Sequence, residues 1–431
     1  MSQARDKPRL RKVERLQLRR GDDVLIVLRD PTGLSEQVAF PITAAPVLDA
    51  LDGQRTAAQI RQSLALRGVL DIELAAIEAV VRDLGEAGYL DDDAFRARWE
   101  AVHREFIADP VRRPRFAGLL YPDEPDALAA ALAGVLPDPA ARLSGGSDVL
   151  GVLVPHQPLP TGAEPPRAAA TVAAGLMDEV LRGLPRADAI DLVVVLGTDY
   201  HPGLQPYTIT DKRYATPLGE LPSDPALVRA LDRRLPWIRR EEIRHREALS
   251  VELAAVALRH LYGGTCPPVL PVLCGPAALD AGLDGPVEAF IATLEHVLED
   301  RRVLWWVTAE LSHDGPAYGR PPLQADRVAA LAERDQLCLA ALAEGRPEAL
   351  ARRCVDQDDQ LGRPSGAPAM VTAARLFPVG YAADRVAYAA GRPPGPDEGW
   401  IGLAGLRFVG PGLADDDDDP WFTPAGRPRG G

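Results

Sequence analysis

The chain has 431 residues, 46% hydrophobic and 26% charged, the make-up of a globular protein long enough to bury at least one large core. Its 62 acidic residues against 48 basic ones give a formal charge of −14, which argues against a general nucleic-acid binder, because neutralising phosphates takes a basic surface. No run approaches the roughly 18 apolar residues of a membrane span. The basic opening MSQARDKPRLRKVERLQLRR lacks the apolar stretch of a signal peptide, so a cytoplasmic protein without a membrane partner is expected. Cys266, Cys274, Cys338 and Cys354 show neither CxxC nor zinc-knuckle spacing and read as free thiols.

In chain order, residues 1–12 form a basic extension, and 13–30 predict a strand pair ending in the β-branched run DVLIVLRD. PITAAPVLDALDG predicts a short helix stopped at Asp52-Gly53, and Thr56 is placed to cap a second one. A third follows Asp71, with Leu74, Ile77, Val81 and Leu84 on one face and Gly88 at its end. YLDDD then reads as a strand or wing. Together these elements predict a compact α+β winged-helix module over 13–92. The stretches VLDALDGQRTAAQI and AAIEAVVRDLGEAGYL resemble the helical half of PqqD-like domains, small winged helices that hold leader peptides. The resemblance implies a peptide ligand, whereas the residues alone equally allow an appendage that only packs on a larger domain.

Residues 93–111 read as a charged helical connector. From 112 to 411 the texture changes: DVLGVLVPH, AIDLVVVLGTDYH, VLPVLCGP and RRVLWWVTAELSH lack alternation and predict strands buried on both faces. Alanine-rich amphipathic segments lie between them, so the fold class expected is a layered α/β sandwich. The tail, 412–431, carries five consecutive aspartates that repel one another and predict disorder, with Trp421-Phe422 as a docking motif in the alternative.

Three of those strands end in a histidine-bearing turn, at His156, His201 and His313. Ligands gather beyond the carboxyl ends of strands in such folds, and imidazole suits Fe(II), Zn(II) and Cu(II). Asp199, Glu310 and Asp314 are the carboxylates nearby. The remaining choices for each histidine are an acid/base role or a polar cap on a strand. His103, His260 and His296 fall in helical segments, where a surface or helix-end role is expected.

The 112–411 region resembles the Memo family. RPRFAGLLYPDEPDAL, VPHQPLPTG, VLGTDYHPG, YATPLGELPSDPALV, VTAELSHDG and RVAYAAGRPPGPDEGWIGLAGLRFV match its segments in order. The resemblance implies a fold shared with class III extradiol dioxygenases and a metal cleft lined by His156, His201 and His313, with Glu310 where the family has aspartate. It implies a divalent metal, Fe(II) favoured and Zn(II) or Cu(II) competing, with Glu310 as base or fourth ligand. Two functions follow. One is a metal-dependent oxygenase or oxidase acting on a peptide or small aromatic substrate; the other is a non-catalytic peptide-binding adaptor working with a partner modifying enzyme. Departures are visible. Gln157-Pro158-Leu159 replaces the tyrosine-bearing segment after the first histidine, Leu249 stands at a family histidine with His245 nearby, and Ser365 or Gly366 stands where a cysteine is expected, Cys354 lying well upstream.

Overall fold

A computed structural model describes residues 7–20, 23–30, 32–69, 71–136, 148–161, 168–200, 203–279, 285–318, 320–355, 364–391 and 399–411. The expectations for His201 and for the acidic tail 412–431 fall outside these described residues.

Strands β1 (Glu14–Arg20) and β2 (Asp23–Arg29) pair antiparallel, and β3 (Val38–Pro41) adds to the other edge of β2. Helices α1 (Ala45–Ala50), α2 (Ala57–Leu66) and α3 (Leu74–Glu86) pack against this sheet around Leu28, Leu48, Ile60, Ile77 and Leu84. Thr56 caps α2 as its sequence predicts: its hydroxyl accepts from the Gln59 N–H, and the Gln59 side chain accepts from the Thr56 N–H in return. The N-terminal extension joins the same body, since Arg9 and Leu10 bridge antiparallel to Asp52 and Leu90. Arg11 forms a buried ion pair with Asp30 at 3.0 Å. YLDDD does not form the expected strand or wing. Leu90 makes one isolated bridge, and Asp92 instead caps α4 (Asp93–Ala108), accepting from the Phe95 N–H at 2.8 Å. Adjacent aspartates satisfy the free N–H groups and positive end of a helix better than they fill a strand.

The larger body is built on one mixed sheet of order β12-β14-β5-β11-β6-β10-β7, with β13 on β14. The apolar runs singled out in the sequence are its four parallel central strands, β5 (Val149–Val154), β6 (Leu192–Thr198), β10 (Val269–Cys274) and β11 (Val303–Thr308). Antiparallel strands flank them: β7 (Tyr207–Ile209), β12 (His313–Asp314), β13 (Ala382–Gly391) and β14 (Trp400–Val409). A small separate sheet joins β4 (Val111–Arg112), β8 (Arg213–Thr216) and β9 (Gly219–Glu220).

Helices cover both faces of the main sheet, which is why its central strands read as unbroken apolar runs. Leu153, Val194, Leu196, Val272 and Val307 face α7 (Pro225–Arg234), α9 (Pro286–Leu298), α10 (Ala325–Ala343), α11 (Pro347–Cys354) and α12 (Ala367–Leu376). Val152, Val154, Val193, Val195 and Trp306 face α5 (Pro125–Ala133), α6 (Ala168–Leu181) and α8 (Leu249–Tyr262). The result is a mixed α/β body. No helix among the described residues is long and apolar enough to cross a membrane.

The two bodies meet through arginines. Arg246 donates to the Thr32 carbonyl at 3.1 Å and Arg115 to the Gly33 carbonyl at 3.2 Å. Gly33 has φ +62°, the left-handed region that favours glycine, and a Cβ there would push aside the Glu247 carboxyl group 2.6 Å away.

Candidate functional site

Strand β11 lies between β5 and β6, and their registers bring Val154, Thr308 and Gly197 abreast. The residues just past each strand therefore emerge side by side at the carboxyl end of the sheet: His156 from β5, Tyr200 from β6, and Glu310 and His313 from β11. His156 Nε2 lies 3.9 Å from Glu310 Oε2, and His313 Nε2 lies 3.1 Å from the same oxygen. Gln157 donates its side-chain amide to the other Glu310 oxygen.

Hydrogen bonds orient the two rings. His313 Nδ1 lies 3.0 Å from the Leu311 carbonyl, which can only accept, so Nδ1 carries a proton. In the neutral ring the Nε2 lone pair then points at the Glu310 carboxylate, and two facing lone pairs require a proton or a cation between them. His156 Nδ1 meets the Thr308 hydroxyl at 3.0 Å and Nε2 meets the Tyr200 hydroxyl at 2.7 Å.

Burial sets the charge states. It is the largest influence on His156, pushing its pKa down, while Glu310 pulls the other way and His313 adds to the fall. Glu310 is also buried, which alone would raise its pKa. The neighbouring imidazoles and the Gln157 amide outweigh that and hold its pKa below the usual carboxylate value. The Tyr200 ring is 43% exposed, yet its hydroxyl is enclosed by the cluster, and burial followed by Glu310 raises its pKa well above the ordinary phenol. Tyr200 thus keeps its proton, with its hydroxyl in contact with His156 Nε2.

Tyr200, Gln157 and Thr308 were not anticipated as site residues. The sequence carried one signal for Tyr200, its place in the turn VLGTDYH. The phenol that meets His156 comes from the end of β6, on the far side of β11. Ser365, not Gly366, faces the cluster at the cysteine position: its hydroxyl lies 3.5 Å from that of Tyr200. The Gly366 N–H donates to the Glu310 carbonyl at 2.8 Å, and a Cβ at Gly366 would sit 2.3 Å from that of Ala309. Tyr318 packs edge-on to His313 with ring centroids 4.8 Å apart. Behind His156, between Leu132, Met177, Leu253 and Trp306, lies a mostly apolar cavity of about 40 Å³.

The other carboxylates near these strand ends are engaged elsewhere. Asp199 pairs with Arg244 at 3.1 Å and Asp314 with Arg327 at 2.7 Å. His245 is fully buried between the Tyr214 hydroxyl, 2.7 Å from Nδ1, and the Thr208 carbonyl, 3.1 Å from Nε2. Both of its nitrogens are thus committed away from the cluster. Cys354 packs on Cys338 instead, and His103 stacks on Trp99 of α4. Among the described residues, no group of three or more His, Cys, Asp or Glu side chains is spaced to hold a metal ion as it stands. Glu310 and His313 are hydrogen-bonded, and the Nε2 atoms of His156 and His313 converge on Glu310 Oε2.

Fold and site together define an α/β protein with a histidine- and carboxylate-lined cluster at the carboxyl ends of three parallel strands. Residues 112–389 match the Memo-like protein family. The chain is also similar to a MEMO1 family protein of Aquifex aeolicus, 24% identical over 301 residues covering 68% of this chain and 73% of the relative. A MEMO1 family protein of Thermus thermophilus is 29% identical over 297 residues, covering 68% and 82%. The chain belongs to the Memo-like family, and the match leaves the N-terminal module outside it.

Proposed function

We propose that His156, Glu310 and His313, with His201 as a further ligand, hold a divalent metal ion, and that the protein is a metal-dependent oxygenase or oxidase acting on a peptide or small aromatic substrate. The observation that carries this reading is the convergence of His156 Nε2 and His313 Nε2 on one oxygen of Glu310, at 3.9 Å and 3.1 Å. Nδ1–H donation to a backbone carbonyl is also how metal-binding imidazoles are commonly oriented. Histidines with a carboxylate suit non-haem Fe(II), with Zn(II) and Cu(II) as competitors, and serine at position 365 leaves the set without a soft thiolate. When bound, the metal supplies a redox-active or Lewis-acidic centre. Around it, Gln157 orients Glu310, Thr308 fixes the His156 ring, and Tyr200 holds a proton for a substrate atom at the cluster.

The test is metal uptake by protein stripped and titrated under nitrogen with Fe(II), Zn(II) and Cu(II). Stoichiometric uptake is expected, falling by more than the roughly tenfold to hundredfold of an outer-shell change in His156→Ala, His201→Ala, Glu310→Ala and His313→Ala. His103→Ala, His296→Ala and Tyr200→Phe should retain it. No stoichiometric uptake at micromolar metal would overturn the reading.

A second reading, a non-catalytic peptide-binding adaptor working with a partner modifying enzyme, rests on the N-terminal module. Its sheet ends in β1 and β3, each with one edge unpaired by a strand among the described residues. Extended peptides add to such edges, and the sequence resembles PqqD-like domains. Under that reading metal-free protein captures a leader-type peptide and consumes no oxygen.

A further inference from the structure

Cys338 in α10 and Cys354 at the end of α11 are both buried, and their sulfur atoms lie 3.7 Å apart, unbonded and in contact. The other two thiols sit elsewhere, Cys266 after α8 and Cys274 at the end of β10. A disulfide needs an S–S distance of about 2.05 Å, so the sulfurs must close by less than their present separation, a movement that the end of one short helix can supply.

We propose that Cys338 and Cys354 are a dithiol–disulfide couple, a covalent redox site that ties α11 to α10. The location gives the bond a consequence. Asp335, one turn before Cys338 on α10, accepts from the Ser312 N–H at 3.2 Å and so supports the turn that carries His313. Cys354 closes the helix that precedes the segment bearing Ser365 and Gly366, which bonds Leu311 and Glu310 through its backbone. The bond therefore ties α11 to the helix whose Asp335 holds the His313 turn, and it requires no metal at the cluster.

Both thiols are enclosed in the native packing, and contact with Cys338 and burial keep Cys354 protonated. Reaction therefore starts from opening of the last turn of α11, where the neighbouring Val355 is 39% exposed. The oxidant is a low-molecular-weight disulfide. The Cys354 thiolate attacks one of its sulfurs and expels a thiolate. The Cys338 thiolate then attacks Cys354 Sγ in the mixed disulfide and expels the second small thiol. Two electrons and two protons pass from the cysteine pair to the small disulfide, which leaves as two thiols.

The experiment treats native full-length protein with oxidised glutathione, quenches it with acid, and alkylates it in denaturant before peptide mass mapping. Two alkylated cysteines, Cys266 and Cys274, are expected, with a Cys338–Cys354 linked peptide lighter than the reduced pair by about 2 Da and restored by dithiothreitol. Cys338→Ala and Cys354→Ala should each lose the link. Four alkylated cysteines, a link through Cys266 or Cys274, or a glutathione adduct that stays on Cys354 would each overturn the proposal. The wild-type linkage map decides the matter even where a variant fails to fold.

Discussion

Burial holds the pKa of His245 down to about 3, because neither the Tyr214 hydroxyl nor the Thr208 carbonyl repays the solvation an imidazolium would lose there. In the unfolded chain a histidine titrates near pH 6.5. Between about pH 6.5 and about pH 3 the unfolded state therefore binds a proton that the folded state refuses. The contribution of this residue to stability is complete above about pH 6.5 and is lost as the pH falls. His245→Gln should be less stable than the wild type at about pH 7.5, and the gap should narrow by about pH 5, read from urea midpoints. A gap that stays constant would show that the fold does not depress the pKa of His245. Depressed pKa values at His156 and Glu310 act with the same sign, so the cluster too is held best above the acid range.

At the scale of elements, Glu252 of α8 fixes where the larger body begins. Its buried carboxylate accepts from the N–H of Arg115 at 2.9 Å and of Phe116 at 2.9 Å, from the Tyr121 hydroxyl, and from the Arg112 guanidinium. Arg112 also donates to the carbonyls of His245 and Arg246, which ties the chain entry to the turn before α8. Removing one partner of a buried pair leaves the other charged and unpaired, at a cost of about 3–5 kcal/mol. Glu252→Ala should lose about that much stability in chemical denaturation, and Glu252→Gln less, because its amide oxygen still accepts from backbone. A loss under about 1 kcal/mol in Glu252→Ala would mean that water reaches the site and screens Arg112.

Over the whole molecule, the N-terminal module has its own core, and none of its buried apolar residues belongs to the clusters of the larger body. The arginine contacts at Thr32 and Gly33 are polar and partly exposed, unlike a shared core. A fragment of residues 1–92 should therefore be soluble and unfold cooperatively by circular dichroism. Its start must include Arg9–Arg11, because those residues bridge to Asp52, Leu90 and Asp30. A fragment that shows no cooperative transition would mean that the module folds only on the Memo-like body.

Composition and pattern were enough to locate the central strands of the larger body. Short apolar runs rich in β-branched residues fit strands covered on both faces, and a histidine where such a run stops then lies at a sheet end. That is why the strand ends before His156 and His313 could be picked out, and why Thr56 could be read as a helix cap. Local pattern also misled at YLDDD, where Asp92 found the free N–H groups of α4 instead of a strand neighbour. Strand order, by contrast, is set only in three dimensions. With β11 between β5 and β6, Glu310 stands between His156 and His313, and Tyr200 reaches His156 from two strands away. Neighbours in a parallel sheet are chosen by crossover connections and by packing of helices on both faces, so spacing along the chain carries no record of which strand ends meet. The same holds for Asp199 and Asp314, as near in sequence to the histidines as Glu310 is, yet drawn into ion pairs with Arg244 and Arg327.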